Sequence, residues 1–230
     1  MDLLLTTPPL NVFEQMALDE VLVRAHPQGV ILRFYNWTSG PAVTFGYAQF
    51  VREVRKGVAK DCGPLCRRPT GGGVVFHQDD LTFSLVFQSA DNPREVYKKL
   101  HGAVHAALTL SGLTARVFNQ KLPASAYAPS HQHEASACFV NPVENDLLQA
   151  NGQKILGGAI RRFGTTVLYQ GSLQVPGARK NPVYKHALTQ AVRSFLDVNL
   201  HIKPVAQTEL QAAILLAKTQ YNTSAWTEKF

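Results

Sequence analysis

The sequence has few cysteines, no long apolar run and no signal-peptide pattern. Its 230 residues include three cysteines, Cys62, Cys66 and Cys138, an odd number that is too small for a disulfide framework. No apolar stretch approaches the roughly 18 residues that predict a membrane span. The acidic Asp2 stands where a signal peptide carries a basic residue. These absences favour a cytoplasmic protein that does not act on membranes.

Two of the cysteines lie close together, but their pattern does not favour a metal site. Cys62 and Cys66 have a Cys-x3-Cys spacing with Pro64 between them, and His131 and His133 could supply further ligands. Structural zinc sites usually combine two closely spaced ligand pairs. The proline and the lack of a second tight pair lead us to expect no metal.

The composition is that of an ordinary globular protein with an ample core. Hydrophobic residues make up 45% of the chain and charged residues 17%. The length suits one large domain or two small ones. Since the sequence shows neither an internal repeat nor a linker, we predict one domain over residues 1–230.

The formal net charge of +7 has two interpretations. It can serve solubility, or it can attract an acidic partner such as a nucleic acid or an acidic carrier protein. The interleaving of basic and aromatic residues that is typical of RNA binding is missing. We therefore expect no nucleic-acid partner.

The most informative segment runs from Arg67 to His77 and contains three consecutive glycines, Gly71 to Gly73. One glycine suffices for a tight turn, whereas three leave the backbone free to wrap closely around a ligand. The strand-like run 82–87 follows at once. A glycine-rich loop against a buried strand, bordered by two arginines and a histidine, favours a ligand with an anionic or carbonyl head and an apolar remainder.

The remaining chain mixes helices and strands without strict alternation. Asn11 is a predicted helix cap, with Glu14 as its capping-box partner, and this helix ends before Pro27. A second helix starts at Asp91-Asn92-Pro93 and ends at Gly112. Further strands are predicted at 30–35, 42–47, 114–118 and 166–173, and further helices after Asn181 and at 210–217. The order predicts an α+β fold with a mixed, largely antiparallel sheet flanked by helices.

Residues 146–156 predict a β-hairpin. Asn151-Gly152 separates two strand-like runs, a pair that favours a type I′ turn. Lys154 then lies on a strand two residues after the turn, followed by a second glycine pair, Gly157-Gly158. The polar segment 119–137 precedes Cys138, and long loops in compact domains are often functional.

Two of these motifs resemble those of the biotin/lipoate protein ligase and lipoyl/octanoyl transferase superfamily. The segment 67–77 is similar to its glycine-rich signature, and 152–159 to its second motif, a lysine in a glycine-flanked strand. Residues 16–20, 33–37 and 221–226 resemble other parts of its catalytic domain. The similarity covers nearly the whole chain, and within the superfamily it is greatest to the cysteine octanoyltransferases of Gram-positive type.

The resemblance implies an enzyme that attaches an octanoyl or lipoyl group to a lysine of a lipoyl carrier domain. Such carriers are 2-oxoacid dehydrogenase subunits or the H-type protein of glycine cleavage. The implied catalytic residues are Cys138, as nucleophile, and Lys154, which would polarise the acyl carbonyl. The implied substrate-binding residues are Arg68, Thr70, Gly71, Gly72, Gly73, His77, Asp146, Gly157 and Gly158.

Two mechanisms occur in this superfamily. A transferase takes the acyl group from an acyl-carrier-protein thioester onto a cysteine, and needs no tightly bound cofactor. A ligase activates lipoate with ATP and Mg²⁺ through lipoyl-adenylate. Asp79-Asp80-Leu81 resembles the transferase form, whereas the uninterrupted glycine triplet and Asn145-Asp146 resemble the ligase form. A non-catalytic binder of acylated carriers is a third alternative.

Several residues also have ordinary structural explanations. Cys138 could be a small buried hydrophobe, Lys154 a solvated strand residue, and His77 a brace for the glycine loop. Arg67 and Arg68 could pair with acids such as Asp79 or Asp146. One position departs from the family pattern, because Gln170 stands where the family often has histidine before Gly-Ser.

Overall fold

The computed structural model describes residues 2–38, 40–59, 61–120 and 142–230. Within them the strands are β1 (Asp2–Thr6), β2 (Val30–Phe34), β3 (Ala42–Phe45), β4 (Leu65–Arg67), β5 (Val75–His77), β6 (Leu81–Gln88), β7 (Arg116–Val117), β8 (Leu147–Leu148), β9 (Lys154–Phe163), β10 (Thr166–Leu173) and β11 (His201–Pro204). The helices are α1 (Val12–Ala25), α2 (Val51–Gly57), α3 (Pro93–Leu110), α4 (Pro182–Leu196), α5 (Gln207–Leu216) and α6 (Ser224–Thr227), with a π-helical segment Ala217–Tyr221 after α5.

The strands of the described residues form one large and one small sheet. The large sheet has the order β11-β1-β2-β6-β10-β9-β8-β7, and the small sheet the order β4-β3-β5. In the large sheet β1 runs parallel to β2 and β11, and the other neighbours are antiparallel. The predicted α+β fold with a largely antiparallel sheet is therefore confirmed. The parallel edge made by β1 and β11 was not predicted.

The helix starts follow the predicted capping signals. The side chain of Asn11 accepts hydrogen bonds from the backbone N–H groups of Phe13 and Glu14, and Glu14 accepts one from the backbone N–H of Asn11. Asn92 caps α3 with Pro93 in its first turn. These contacts satisfy N–H groups that have no partner inside the helix, so the local sequence determines where each helix begins.

Hydrophobic cores lie on both faces of the large sheet. One packs α3 and α4 against the sheet, with Phe83, Leu100 and Tyr169 fully buried. The other packs α1 and α5 against the opposite face, around Leu18 and Ile31. A third, smaller cluster joins the small sheet to α2. In the part of the chain that the structure describes, no helix is long and apolar enough to cross a membrane.

The hairpin of β8 and β9 forms as predicted, but the predicted type I′ turn is wrong. A type I′ turn needs a positive φ at both central residues. Gly152 has φ +84°, whereas Asn151 is not among the described non-glycine residues with positive φ. The N–H of Gly152 donates to the carbonyl of Gln149 over 2.9 Å, and the N–H of Gln149 to the carbonyl of Gln153 over 2.9 Å. Ala150 and Asn151 thus make the turn, and Gly152 follows in the left-handed conformation, as in three-residue hairpin loops.

Candidate functional site

A pocket opens where the glycine loop approaches the middle of the large sheet. Residues of α1, the small sheet and strands β9 and β10 form its walls, among them Met16, Val75, His77 and Gly158. Apolar groups dominate the walls, while Arg68, His77 and Gln170 contribute polar atoms. A pocket of this character suits a ligand with an apolar body and one polar end.

Arg68 holds the glycine loop in shape. Its Nε and Nη2 donate to the carbonyl of Gly71 over 3.0 and 2.5 Å, and Nη2 donates to the carbonyl of Gly73 over 2.7 Å. The side chain is almost fully buried. Arg68, predicted as a substrate-binding residue, lines the pocket and fixes the backbone of the predicted acyl-binding loop.

Arg67 has a different role. Its guanidinium donates to the backbone carbonyls of Tyr47, Gln49, Trp226 and Thr227 over 2.5 to 3.0 Å. Carbonyl oxygens therefore take the place of the acids that the sequence suggested as its partners. Arg67 is a structural residue that ties the C-terminal segment to the small sheet.

The glycine loop depends on a glycine that the sequence analysis did not single out. The N–H of Tyr47 donates to the carbonyl of Thr70 over 2.8 Å. At the neighbouring Gly46, an added Cβ would lie 2.0 Å from the carbonyl oxygen of Gly72. Only glycine permits this approach between two backbone segments.

We expect Gly46→Ala to lower the free energy of unfolding by about 1–3 kcal/mol, the usual cost of overpacking. The new Cβ would meet the backbone carbonyl of Gly72, which cannot rotate away as a flexible side chain could. The measurement is urea unfolding. Gly71→Ala is the matched control, since a Cβ there meets no atom within 4 Å. Equal losses of stability in the two variants would show that the close approach of Gly46 to the carbonyl of Gly72 does not require glycine.

His77 is held in a buried hydrogen-bonded group beside the pocket. Its Nδ1 donates to Oδ2 of Asp80 over 2.9 Å, and its Nε2 lies 2.9 Å from Oγ1 of Thr44. The ring stacks on Trp37 with 4.9 Å between centroids. His77 both lines the pocket and braces the segment after the glycine loop, so the two interpretations of the sequence are compatible.

Asp80 stays ionised in this group. Burial alone would raise the pKa of its carboxyl, but the charge of His77 and hydrogen bonds from His77, Ser172 and Thr82 outweigh burial and lower the pKa to about 2. Three donors, His77, Ser172 and Thr82, lie 2.6 to 2.9 Å from Oδ2. An ionised Asp80 fixes the orientation of the His77 ring.

The lowered pKa of Asp80 predicts an acid-sensitive contribution to stability. The carboxyl has a pKa of about 2 in the folded protein against 3.8 in the unfolded chain. This contribution is therefore complete above about pH 4 and is lost as the pH falls toward 2, about 2 kcal/mol in all and about half of it by pH 3. Urea unfolding at pH 5 and pH 3 measures it. Asp80→Asn should lack this component, and an identical pH dependence in both proteins would contradict the assignment.

Lys154 and Asp146 form a buried ion pair at the start of β9. Nζ of Lys154 lies 2.7 Å from Oδ2 of Asp146, and both side chains are 3% exposed. The same oxygen accepts the N–H of Val143 over 2.7 Å. Their charges act on His101 of α3, whose pKa is lowered by burial. Lys154 is thus not a solvated strand residue, and Asp146 positions it.

The structure keeps Lys154 apart from the His77 pocket. Among the residues that the structure describes, Lys154 is not part of the pocket wall. Lys154 precedes Gly157 by three residues on β9, so their backbones are about 10 Å apart along the strand. Gly157 and Gly158, predicted as substrate-binding, do line the pocket. At Gly158 an added Cβ would lie 2.3 Å from the ring of Tyr169, so this glycine is needed for packing as well.

Thr70 joins the glycine loop to a buried polar network. Its Oγ1 donates to Oε1 of Gln170 over 2.6 Å, and Nε2 of Gln170 donates to Asp19 over 2.6 Å. Asp19 also accepts Nε and Nη2 of Arg33 over 2.9 and 2.6 Å, and both side chains are fully buried. Residues 16–20 and 33–37 were singled out only by resemblance, and the structure gives them this supporting role. The sequence signal for this ion pair was an acidic residue, Asp19, among apolar residues of a helix and a basic residue, Arg33, among apolar residues of a strand.

Cys138, the predicted nucleophile, lies outside the described residues, as do His131 and His133. Of the other cysteines, Cys66 is fully buried, and burial raises the pKa of its thiol far above the usual range. Within residues 2–38, 40–59, 61–120 and 142–230, no group of three or more potential ligands could hold a metal ion.

Comparison with solved structures identifies the fold. The fold matches that of the T. acidophilum protein Ta0514 solved with bound lipoic acid, with a TM-score of 0.76 and 24% identity over 100% of this chain and 98% of that one. It also matches a lipoate-protein ligase A bound with ATP, with a TM-score of 0.74 and 25% identity over 99% and 98%. The fold is that of the lipoate ligases.

The chain belongs to the lipoyl protein ligase A/B catalytic domain family, whose model matches residues 11–197. The resemblance seen in the sequence is thereby confirmed. A curated relative, the octanoyltransferase LipM of Oceanobacillus iheyensis, is 34% identical over 179 residues, which cover 74% of this chain and 62% of the relative. The chain thus spans about three fifths of the length of this relative.

Proposed function

We propose that the protein is an acyltransferase that moves an octanoyl, or lipoyl, group onto the lysine of a lipoyl carrier domain through a thioester on Cys138. The observation that carries the proposal is the similarity to octanoyltransferases, 34% identical over 179 residues in the first case. The apolar pocket beside the glycine loop supports it, since an acyl chain is apolar and its carbonyl needs nearby donors.

The reaction has two steps, and each conserves its atoms. The Cys138 thiolate attacks the carbonyl carbon of the donor thioester, and the donor's thiolate leaves. The amine of the carrier lysine then attacks the Cys138 thioester, the Cys138 thiolate leaves, and the amine gives up a proton as the amide forms. In both steps negative charge develops on the acyl oxygen, where the Lys154 ammonium would stabilise it. No tightly bound cofactor is needed.

The chemistry of the three cysteines supports Cys138 as the acyl acceptor. A thiolate is the nucleophilic form, and a buried thiol with a strongly raised pKa does not supply it. Cys66 has such a thiol. Cys62 precedes β4, packs against the small cluster at the small sheet, and is not among the residues that line the pocket. Cys138 is close in sequence to the Lys154–Asp146 pair.

The test is intact-mass spectrometry after incubation with an octanoyl-carrier thioester in the absence of ATP. We expect a mass increase of one octanoyl group in the wild type and in Cys62→Ala, and none in Cys138→Ala. An adduct that persists in Cys138→Ala, or a wild type that never forms one, would rule out the thioester mechanism.

ATP-dependent ligation is the second candidate. The observation that favours it is the similarity to a lipoate-protein ligase A solved with ATP, 25% identical over almost the whole chain. A ligase would modify a lipoyl carrier only when free lipoate, ATP and Mg²⁺ are supplied, and Cys138→Ala would remain active. The same assay can compare a 2-oxoacid dehydrogenase subunit with the H-type protein as carriers, and octanoyl with lipoyl as the acyl group.

A further inference from the structure

A second cavity, a groove of about 640 Å³, lies between α4 and the carboxyl ends of β1 and β2. Lys185, Thr189 and Arg193 are four residues apart on α4, so they share one face of the helix, and all three line the groove. Residues 4–7 and 34–37 form the opposite wall. The groove lies outside the carboxyl ends of two parallel strands.

The groove is strongly basic. Four of its lining residues are Arg179, Lys185, His186 and Arg193, and none of the described lining residues is acidic. Lys185 is exposed, and Arg179 and Arg193 are half-buried, so the charges border the groove and are open to a ligand. Charges of one sign in a cleft with low-dielectric walls concentrate the field and attract an anion.

The groove adjoins the pocket at the carboxyl end of β2. Tyr35 lines both cavities. Trp37 lines the groove and stacks on His77, which lines the pocket. The guanidinium of Arg179 lies 5.7 Å from the centre of the Trp37 ring, and its Nη2 lies 3.3 Å from Oδ1 of Asp80. The two cavities are therefore neighbours around the end of β2.

Three donors in the groove wall lack an acceptor among the described residues. They are Oγ1 of Thr7, Nε1 of Trp37 and Nε of Arg193, and all three are covered by neighbouring atoms. Buried donors are nearly always hydrogen-bonded in folded proteins. Three of the four side-chain atoms of this kind among the described residues thus belong to residues that line this groove.

We propose that this groove binds the phosphate ester of the acyl donor while the acyl group lies in the pocket. The inference rests on the proposed function, because a carrier thioester holds its acyl group on a long arm that ends in a phosphodiester. Lysine and arginine are the usual partners of phosphate, lysine as a point charge and arginine through its planar fork. A nucleotide carries the same chemical group, and the experiment separates the two sources.

The experiment is isothermal titration of the full chain with 4′-phosphopantetheine and, in parallel, with pantetheine, which lacks only the phosphate. We expect phosphopantetheine to bind at least 10-fold more tightly. Lys185→Gln should reduce this ratio to less than 3-fold. Lys98→Gln replaces an exposed lysine of α3 that does not line the groove, so it should leave the ratio unchanged and is the matched control.

Equal affinities for the two compounds, or a ratio that persists in Lys185→Gln, would overturn the proposal. Titration with ATP and Mg²⁺ forms the second arm. Binding of ATP that weakens in Lys185→Gln, without any advantage for phosphopantetheine, would support a phosphate site and assign it to a nucleotide. Since neither ligand carries an acyl group, the outcome is independent of whether Cys138 forms a thioester.

Discussion

Replacing Asp19 by alanine is expected to lower the free energy of unfolding by about 3–5 kcal/mol. The variant leaves the guanidinium of Arg33 buried without its counter-charge, in a position where the side chain is fully covered. It also removes acceptors for Ser84, over 2.6 Å, and for Gln170. Urea unfolding at neutral pH measures the loss.

Two controls separate the buried ion pair from general effects on α1. Arg24→Ala removes a pair with Glu20 in which the arginine is 67% exposed, so its expected cost is about 0–1 kcal/mol. The double variant Asp19→Leu/Arg33→Met removes both charges at once and should recover much of the stability. A loss of less than about 1 kcal/mol in Asp19→Ala would show that water or another group compensates Arg33.

The Asp19 variant also tests whether the network supports the pocket. Gln170 uses both ends of its amide, accepting from Thr70 and donating to Asp19. At this position, where the family often has histidine, the glutamine links the glycine loop to the buried ion pair. Loss of acyl transfer in Asp19→Ala under conditions where it remains folded would place Thr70 and its loop under the control of this network.

The sequence predicts the parts of the fold that short-range contacts determine. The N-terminal ends of α1 and α3 follow from Asn11, Glu14 and Asn92, whose side chains form hydrogen bonds with backbone groups three residues away. The hairpin before β9 is equally local. Its turn type was mistaken because Asn-Gly also fits a loop in which only the glycine has positive φ.

Long-range pairing could not be predicted in this way. Strand β11 is exposed along its length and contains a proline, so its pattern does not resemble a strand that pairs with β1. Gly46 and Gly72 are distant in sequence, and nothing near Gly46 indicates that another backbone segment passes within contact. The basic groove is likewise assembled from β1, β2 and α4, and its charge is invisible until those elements meet.

Replacing Lys154 by methionine is expected to reduce acyl transfer by about 100- to 1,000-fold, the usual cost of losing one donor that stabilises a developing oxyanion. Methionine keeps much of the length and the apolar body of the side chain, but it lacks the charge. The measurement is the rate of carrier acylation under single-turnover conditions. Such a loss in a folded variant would support the role that the family motif implies.

Lys154 is also part of a buried ion pair, so the catalytic and structural effects have to be separated. Methionine leaves the Asp146 carboxylate buried with the N–H of Val143 as its remaining described donor, which can destabilise the protein by about 3–5 kcal/mol. Lys154→Met/Asp146→Asn removes both charges and should restore much of this stability. If transfer returns together with stability, Lys154 is a structural residue. If stability returns and transfer does not, the ammonium itself acts on the acyl group.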